Sequence, residues 1–209
     1  MANPLHLLFI SGSLRDGSTN NAVLETAHAI AADSLCTVLY AGMDGLPHFN
    51  PDDDREGEPV QSAVAELRAH IAEADALLIC TPEYAGALPG ALKNLLEWTV
   101  GDAGTYRKPV AWINASGSAA PTGGADAHDS LRKVLGYVHA DIVAAACARV
   151  PVTRDTVGPE GTITDPHIRA DRRDAHRACR ARRAARRRQP RNVSSRRPHV
   201  RFPMPRRRS

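Results

Sequence analysis

The sequence predicts an α/β fold: a doubly wound, five-stranded parallel sheet with helices on both faces, plus an irregular Arg-rich C-terminal tail. Three observations predict it. Short apolar runs recur through the first 165 residues, each leading into a stretch whose apolar period is that of a helix. The resulting order β-α-β-α-β-α-β-α-β calls for parallel strands joined by crossover helices that cover the sheet. Charge then divides the chain: residues 1–165 carry 10 Lys and Arg against 21 Asp and Glu, and residues 166–209 carry 17 Arg against 2 Asp. The overall net charge of +4 describes neither part. A boundary near Pro166 separates an acidic body, residues 1–165, from a basic tail, residues 166–209.

The elements follow in order. Residues 5–10 (LHLLFI) form the first predicted strand, and Val23, Ala27 and Ile30 share one face of the helix after it. Residues 36–40 form the second strand, followed by a helix with its stripe at Val60, Val64, Leu67 and Ile71. Residues 76–80 form the third; Pro89 then fits the first turn of a helix carrying Leu92, Leu95 and Leu96, where its missing N–H costs nothing. Residues 109–113 form the fourth, followed by a stripe at Leu131, Val134, Leu135 and Val138. Residues 142–147 are the fifth and weakest, because their Ala residues are poor strand formers. No internal repeat interrupts this series.

Composition excludes several classes. No apolar run approaches the roughly 18 residues of a membrane span, and the first run lacks the basic flank and cleavage site of a signal peptide. Cys36, Cys80, Cys147 and Cys179 form no C-x-x-C pair, which suits reduced thiols in the cytoplasm. The nine His residues form no metal-ligand pattern.

In a sheet of this kind ligands bind beyond the carboxyl ends of the strands, so the loops after strands one, three and four carry the chemistry. The first, SGSLRDGSTNN over residues 11–21, combines hydroxyls, Arg15, two glycines and the free N–H groups of a helix start. That set favours an anion, most simply a phosphate. It contains neither the P-loop lysine nor G-x-G-x-x-G, which leaves a monophosphate rather than a triphosphate or a dinucleotide pyrophosphate. Taken singly, Ser18 or Asn20 is better read as an ordinary helix-capping residue; it is the whole run at this position that favours the phosphate. The second loop begins Thr81-Pro82-Glu83-Tyr84-Ala85-Gly86, and its small residues allow backbone to approach a flat ligand. Glu83 has two readings, a general acid or base and, favoured, an ion pair or helix-end contact; Tyr84 is a ring-stacking or subunit-contact residue, and Trp98 a packing residue. The third loop, residues 114–124, is again small and, taken alone, reads equally as a cover for one edge of a planar ligand and as a simple mobile surface loop.

Gly12-Ser13-Leu14-Arg15 with Ser18 and Asn20, then Pro82-Glu83-Tyr84-x-Gly86, then Pro89-Gly90-x-Leu92-Lys93-Asn94 with Trp98, resemble the NADPH-dependent FMN reductase family. These flavodoxin-like proteins include chromate, quinone and azo-dye reductases, and the resemblance spans about residues 5–150. It implies an FMN phosphate held by Ser13, Arg15, Ser18, Asn20 and Asn21. It implies an isoalloxazine and ribityl chain along Pro82, Glu83, Tyr84, Ala85 and Gly86, with Ser116 and Gly117 flanking the ring. It also implies hydride passing from NADPH or NADH through bound FMN to a flavin, quinone or other small acceptor, in a homodimer or homotetramer. The flavin carries that chemistry, so no catalytic side chain is expected. One position departs from the pattern: many relatives carry Asn, His or another polar residue where this chain has Ala85. The competing function is a flavodoxin-like electron carrier that leaves NAD(P)H untouched.

The tail has three readings. Between Arg169 and Asn192 there is no Val, Leu, Ile, Phe or Met, so one reading is disorder through low hydrophobicity and self-repulsion. A second is an arm for nucleic acid or an acidic membrane surface, since each Arg can neutralise a phosphate. Phe202 is its one aromatic residue, which counts against base recognition. The third is a shifted reading frame from near residue 170, since the approach over residues 158–166 leads to no amphipathic closing helix.

Overall fold

A computed structural model describes residues 4–31, 35–117 and 120–166. The readings of the tail, Pro166 aside, therefore lie outside the described residues, as do Ser118 and Ala119 of the third loop. The elements are β1 (His6–Ser11), α1 (Thr19–Ala31), β2 (Cys36–Tyr40), α2 (Ser62–Glu73), β3 (Ala76–Thr81), α3 (Gly90–Glu97), β4 (Pro109–Ser116), α4 (Ala125–Tyr137), β5 (Asp141–Ile142) and β6 (Ala148–Pro151).

The strands run parallel in the order β2-β1-β3-β4-β5, with β6 also paired to β4. This is the flavodoxin-like doubly wound order, whose direction reverses between β1 and β3. The first four strands stand where the apolar runs place them. The fifth is broken: Asp141–Ile142 pairs with the start of β4, Ala144–Ala146 forms a 3₁₀ turn, and Ala148–Pro151 pairs with the end of β4. Three consecutive alanines bring neither β-branching nor bulk to hold an extended conformation, so the chain detours and then rejoins the sheet.

Alternation along the buried strands feeds two cores. Leu8, Ile10, Leu77, Ile79, Val110 and Trp112 face one side, where α2, α3 and α4 lay down Val64, Leu67, Ile71, Leu92, Leu95, Leu131 and Leu135. Leu7, Phe9, Cys80 and Ile113 face the other, covered by Val23 and Leu24 of α1 together with Val150, Val152 and Ile163. Helices therefore lie on both faces. Of the predicted stripes, Ala27, Val60, Val134 and Val138 are partly buried and pack at the margins of these cores. Pro89 sits one position earlier than its sequence suggests, immediately before α3 with an extended ψ of 144°. Trp98 is fully buried, donates its Nε1–H to the Pro47 carbonyl at 2.9 Å and meets the Phe49 ring edge-on. Its expected packing role holds.

Candidate functional site

The three loops identified in the sequence lie side by side, because β1, β3 and β4 are adjacent and end in step. Ser11 pairs with Cys80, and Thr81 with Asn114. The loop between β1 and α1 thus opens at the point where the strand order reverses. Gly12 anchors its start by donating to the Cys80 carbonyl at 2.7 Å. A Cβ at Gly12 would meet Thr81 Oγ1 at 2.5 Å and Leu92 Cδ2 at 3.0 Å, so only glycine allows this approach of loop to strand.

Side chains then fold the loop back on itself. The Ser11 hydroxyl donates to Asn21 Oδ1 at 2.5 Å and accepts the Ser13 N–H at 3.3 Å, while Ser13 Oγ accepts the Arg15 N–H at 3.3 Å. Ser18 caps α1: its Oγ accepts the Asn20 N–H at 3.1 Å and its carbonyl takes the Ala22 N–H. Buried Asn20 lies between Ser18 Oγ and Cys80 Sγ. Ser13, Ser18 and Asn20 are buried, whereas Arg15 and Asn21 are exposed. Among the described residues, no acceptor faces the N–H groups of Leu14, Asp16, Gly17, Ser18 and Thr19, and Arg15 belongs to no ion pair. Free N–H groups at a helix start, hydroxyls and one uncommitted guanidinium are a donor set for a small dianion such as a phosphate monoester. Both capping and anion binding are available to this loop, since Ser18 orders the turn while the N–H groups before it stay open. A cleft of about 270 Å³ lies on the β2 side of the loop, lined by Ser11, Ser13, Arg15 and Asn21 and also by Asp16, Glu25 and Asp44. Those carboxylates disfavour an anionic guest in the cleft itself.

The loop after β3 turns at residues 84–87. Tyr84 and Ala87 exchange backbone hydrogen bonds of 3.0 and 3.1 Å, with Ala85 at φ 51° and Gly86 at φ 72° between them. Two consecutive positive φ values define a type I′ turn, a conformation that Gly and Asn adopt easily and Ala does not. Tyr84, the first residue of the turn, is exposed.

Glu83 does not stand free as an acid or base. Its Oε1 accepts the Thr122 hydroxyl at 2.6 Å and its Oε2 the Ala127 N–H at 3.1 Å. The Thr122 hydroxyl, helped by the N–H groups of Ala127 and Asp126, holds the carboxyl below the usual carboxylate range against the opposing push of burial. This is the helix-end contact favoured in the sequence, made across to α4. Ser116 and Gly117 begin the third loop: the Ser116 carbonyl accepts the Val152 N–H at 3.0 Å, and the Gly117 carbonyl the Ala120 N–H at 3.0 Å.

Two residues escaped the sequence reading. Thr122 is the hub of the third loop, accepting the Gly124 N–H at 3.2 Å while donating to Glu83. Asn114, fully buried at the end of β4, donates to the Thr81 carbonyl at 3.4 Å and lies 3.1 Å from His128 Nδ1. His128 also accepts the Trp112 indole N–H at 3.0 Å. Burial, then the Arg132 guanidinium, lower its pKa below the ordinary imidazole value. No cluster of metal-ligating side chains occurs among the described residues, and no described helix is long and apolar enough to cross a membrane.

The family model described as NADPH-dependent FMN reductase matches residues 5–151, which include all three loops. The chain belongs to that family. It is an FMN-dependent oxidoreductase with NAD(P)H as co-substrate. An NAD(P)H-dependent FMN reductase of Pseudomonas aeruginosa is 32% identical over 171 residues, covering 81% of this chain and 90% of that protein. A quinone reductase of Escherichia coli is 30% identical over 168 residues, covering 79% of this chain and 88% of that protein. Among solved structures, the flavoenzyme NAD(P)H:(acceptor) oxidoreductase FerB of Paracoccus denitrificans superposes with a TM-score of 0.69 at 25% identity, covering 83% of this chain and 98% of FerB. The donor set of the first loop fits the phosphate of the family's cofactor.

Proposed function

We propose that this reductase holds the FMN phosphate in the β1–α1 loop and the isoalloxazine between the loops after β3 and β4. The observation that carries the proposal is the open donor set at the strand-order reversal: free N–H groups at residues 16–19, with Ser13, Ser18, Asn20, Asn21 and Arg15 around them. Arg15 neutralises phosphate charge, and the buried hydroxyls fix its orientation. Pro82, Glu83, Tyr84, Ala85 and Gly86 form one wall for the ring through their backbone, and Ser116 and Gly117 the other. When bound, FMN supplies the redox chemistry, taking hydride from NAD(P)H and yielding electrons to the acceptor. The protein's part is to orient both partners and to screen the site from water. The acceptor is a small molecule of the quinone or flavin class, in keeping with the names of the relatives.

We place the enzyme in the cytoplasm, where Cys36, Cys80 and Cys147, all free thiols, stay reduced. Exposed Tyr84, beside the ring wall, supports assembly as a homodimer or homotetramer in which a neighbouring copy helps to enclose the site. The test is FMN titration by fluorescence quenching on wild type and Arg15→Ala, followed by NADPH oxidation with FMN, quinones, azo dyes and chromate. The expected result is a yellow protein that oxidises NADPH with quinone or flavin acceptors, with FMN affinity lowered about tenfold in the variant, as for one lost charge-assisted hydrogen bond. Equal affinity in the two proteins would remove Arg15 and its loop from the site. Flavin uptake without NADPH oxidation would make the chain an electron carrier.

A further inference from the structure

The contact made by Glu83 has a role that a simple helix cap does not exhaust, because it joins two loops that both border the proposed ring site. One end of the link is the residue just before the type I′ turn over residues 84–87. The other is the start of α4 together with Thr122, whose hydroxyl is itself fixed by the Gly124 N–H and whose carbonyl lies 3.4 Å from Arg149 Nη1. Both carboxylate oxygens are used, one on each side of the α4 start. At the tip of the turn, a Cβ on Gly86 would stand 3.8 Å from Asp126 Oδ2, so the two loops also approach through the residues flanking the link. Beneath them, Asn114 ties the floor by donating to the Thr81 carbonyl. Loops attached to a sheet at one end only are mobile, and a charge-assisted bond that crosses between two of them removes relative motion that ligand binding would otherwise have to arrest.

We infer that Glu83 is a positioning residue: through Thr122 and Ala127 its carboxylate sets the separation of the β3–α3 and β4–α4 loops, and so the width of the slot that receives the flavin ring. The inference rests on the FMN reading above and goes beyond it, since it gives the Glu83 side chain a task that involves no contact with cofactor or substrate. It also accounts for the chemistry at this position. Gln at 83 presents one acceptor oxygen where the structure uses two, and Asp is one methylene too short to reach both partners from the same backbone.

The experiment measures FMN affinity and amide hydrogen exchange in wild type, Glu83→Gln, Thr122→Val, Thr122→Ser and the double variant Glu83→Gln/Thr122→Val. Each of the first two substitutions is expected to weaken FMN binding about tenfold, by loss of one hydrogen bond to a charged group. The double variant is expected to be no worse than the weaker single one, because both break the same link. Thr122→Ser, which keeps the hydroxyl, is expected to restore wild-type affinity, an outcome that a change in global stability alone would not give. In the FMN-free proteins, exchange at residues 84–87 and 122–127 is expected to quicken in the two single variants and stay slow in Thr122→Ser. Additive losses in the double variant, or unchanged affinity in both single variants while wild type binds FMN, would overturn the link and leave the FMN site standing. A wild type that takes up no flavin would remove the slot altogether, and the FMN reading with it. Should Glu83→Gln fail to fold, the Thr122 pair decides alone.

Discussion

Ala85 is one of four described non-glycine residues at positive φ, with Ala103, Arg107 and His139, and it borders the proposed ring site. It occupies the first central position of a type I′ turn at φ 51°, where its Cβ crowds the following carbonyl. Left-handed backbone costs an L-residue with a Cβ about 1–2 kcal/mol, and Asn recovers part of that by local hydrogen bonding. Ala85→Asn should therefore stabilise the protein by about 0.5–1 kcal/mol, the side chain being exposed and no packing being lost. For a body of this size that corresponds to a rise in Tm of roughly 2–4 °C per kcal/mol. Ala85→Gly relieves the same strain but enlarges the entropy of the unfolded chain, so its gain should be the smaller of the two. Ala85→Val, with a β-branched side chain in the same region, should lower Tm instead. Thermal melts of the FMN-free proteins, read by far-UV circular dichroism, give all three values. If Asn lowers Tm, or if Val is tolerated as well as Ala, the turn is not type I′ and the geometry derived for this loop fails.

Three further outcomes follow from particular contacts. Thr26→Val should cost about 1–3 kcal/mol in a urea titration, because the buried Thr26 hydroxyl accepts the Ile163 N–H at 2.7 Å and donates to the Ala22 carbonyl at 2.6 Å, and Val can make neither bond; a cost below 0.5 kcal/mol would mean that the 157–163 segment is not docked on α1. Arg68 Nη2 bonds both oxygens of Asp54, whose side chain is 7% exposed, at 2.8 Å and the Trp98 carbonyl at 2.7 Å, so Arg68→Met should destabilise by about 3–5 kcal/mol, and restored stability in Arg68→Met/Asp54→Leu would confirm that the stranded carboxylate is the cause. His128 is held neutral, its folded pKa lying below the ordinary 6.5. The unfolded chain therefore binds the proton first, and stability falls as pH drops from above 6.5 toward the lowered folded value. Urea midpoints at pH 7.5 and 5.5 should show a smaller difference in His128→Asn than in wild type, and an equal difference would refute the assignment.

The parts of the fold that the sequence shows plainly are those where one physical signal acts alone. Strands β1, β3 and β4 are largely apolar runs because both their faces are buried, and no competing pattern confuses them. The capping of α1 by Ser18 is equally legible, since the Ser18 hydroxyl acts locally on the Asn20 N–H two residues on. The fifth strand is not, because an alanine run has little preference of its own and the neighbouring β4 decides where pairing stops and resumes. The partners of Glu83 lie 39 and 44 residues away, and nothing in a linear reading singles out Thr122 from the other hydroxyls of its loop. Asn114 is hidden for the same reason: a polar residue at the end of an apolar strand gains meaning only when β3 is beside it.

The interrupted fifth strand has a bearing on how the molecule keeps to itself. At that flank the sheet ends in a two-residue strand, an alanine turn and a four-residue strand, too short and too bent to template pairing with another chain. At the opposite flank β2 is an uninterrupted five-residue strand paired only with β1 among the described strands, with Val38 at 40% exposure. Any unwanted strand-to-strand stacking between molecules should therefore begin at β2, and a lysine in place of Val38 is the economical way to discourage it.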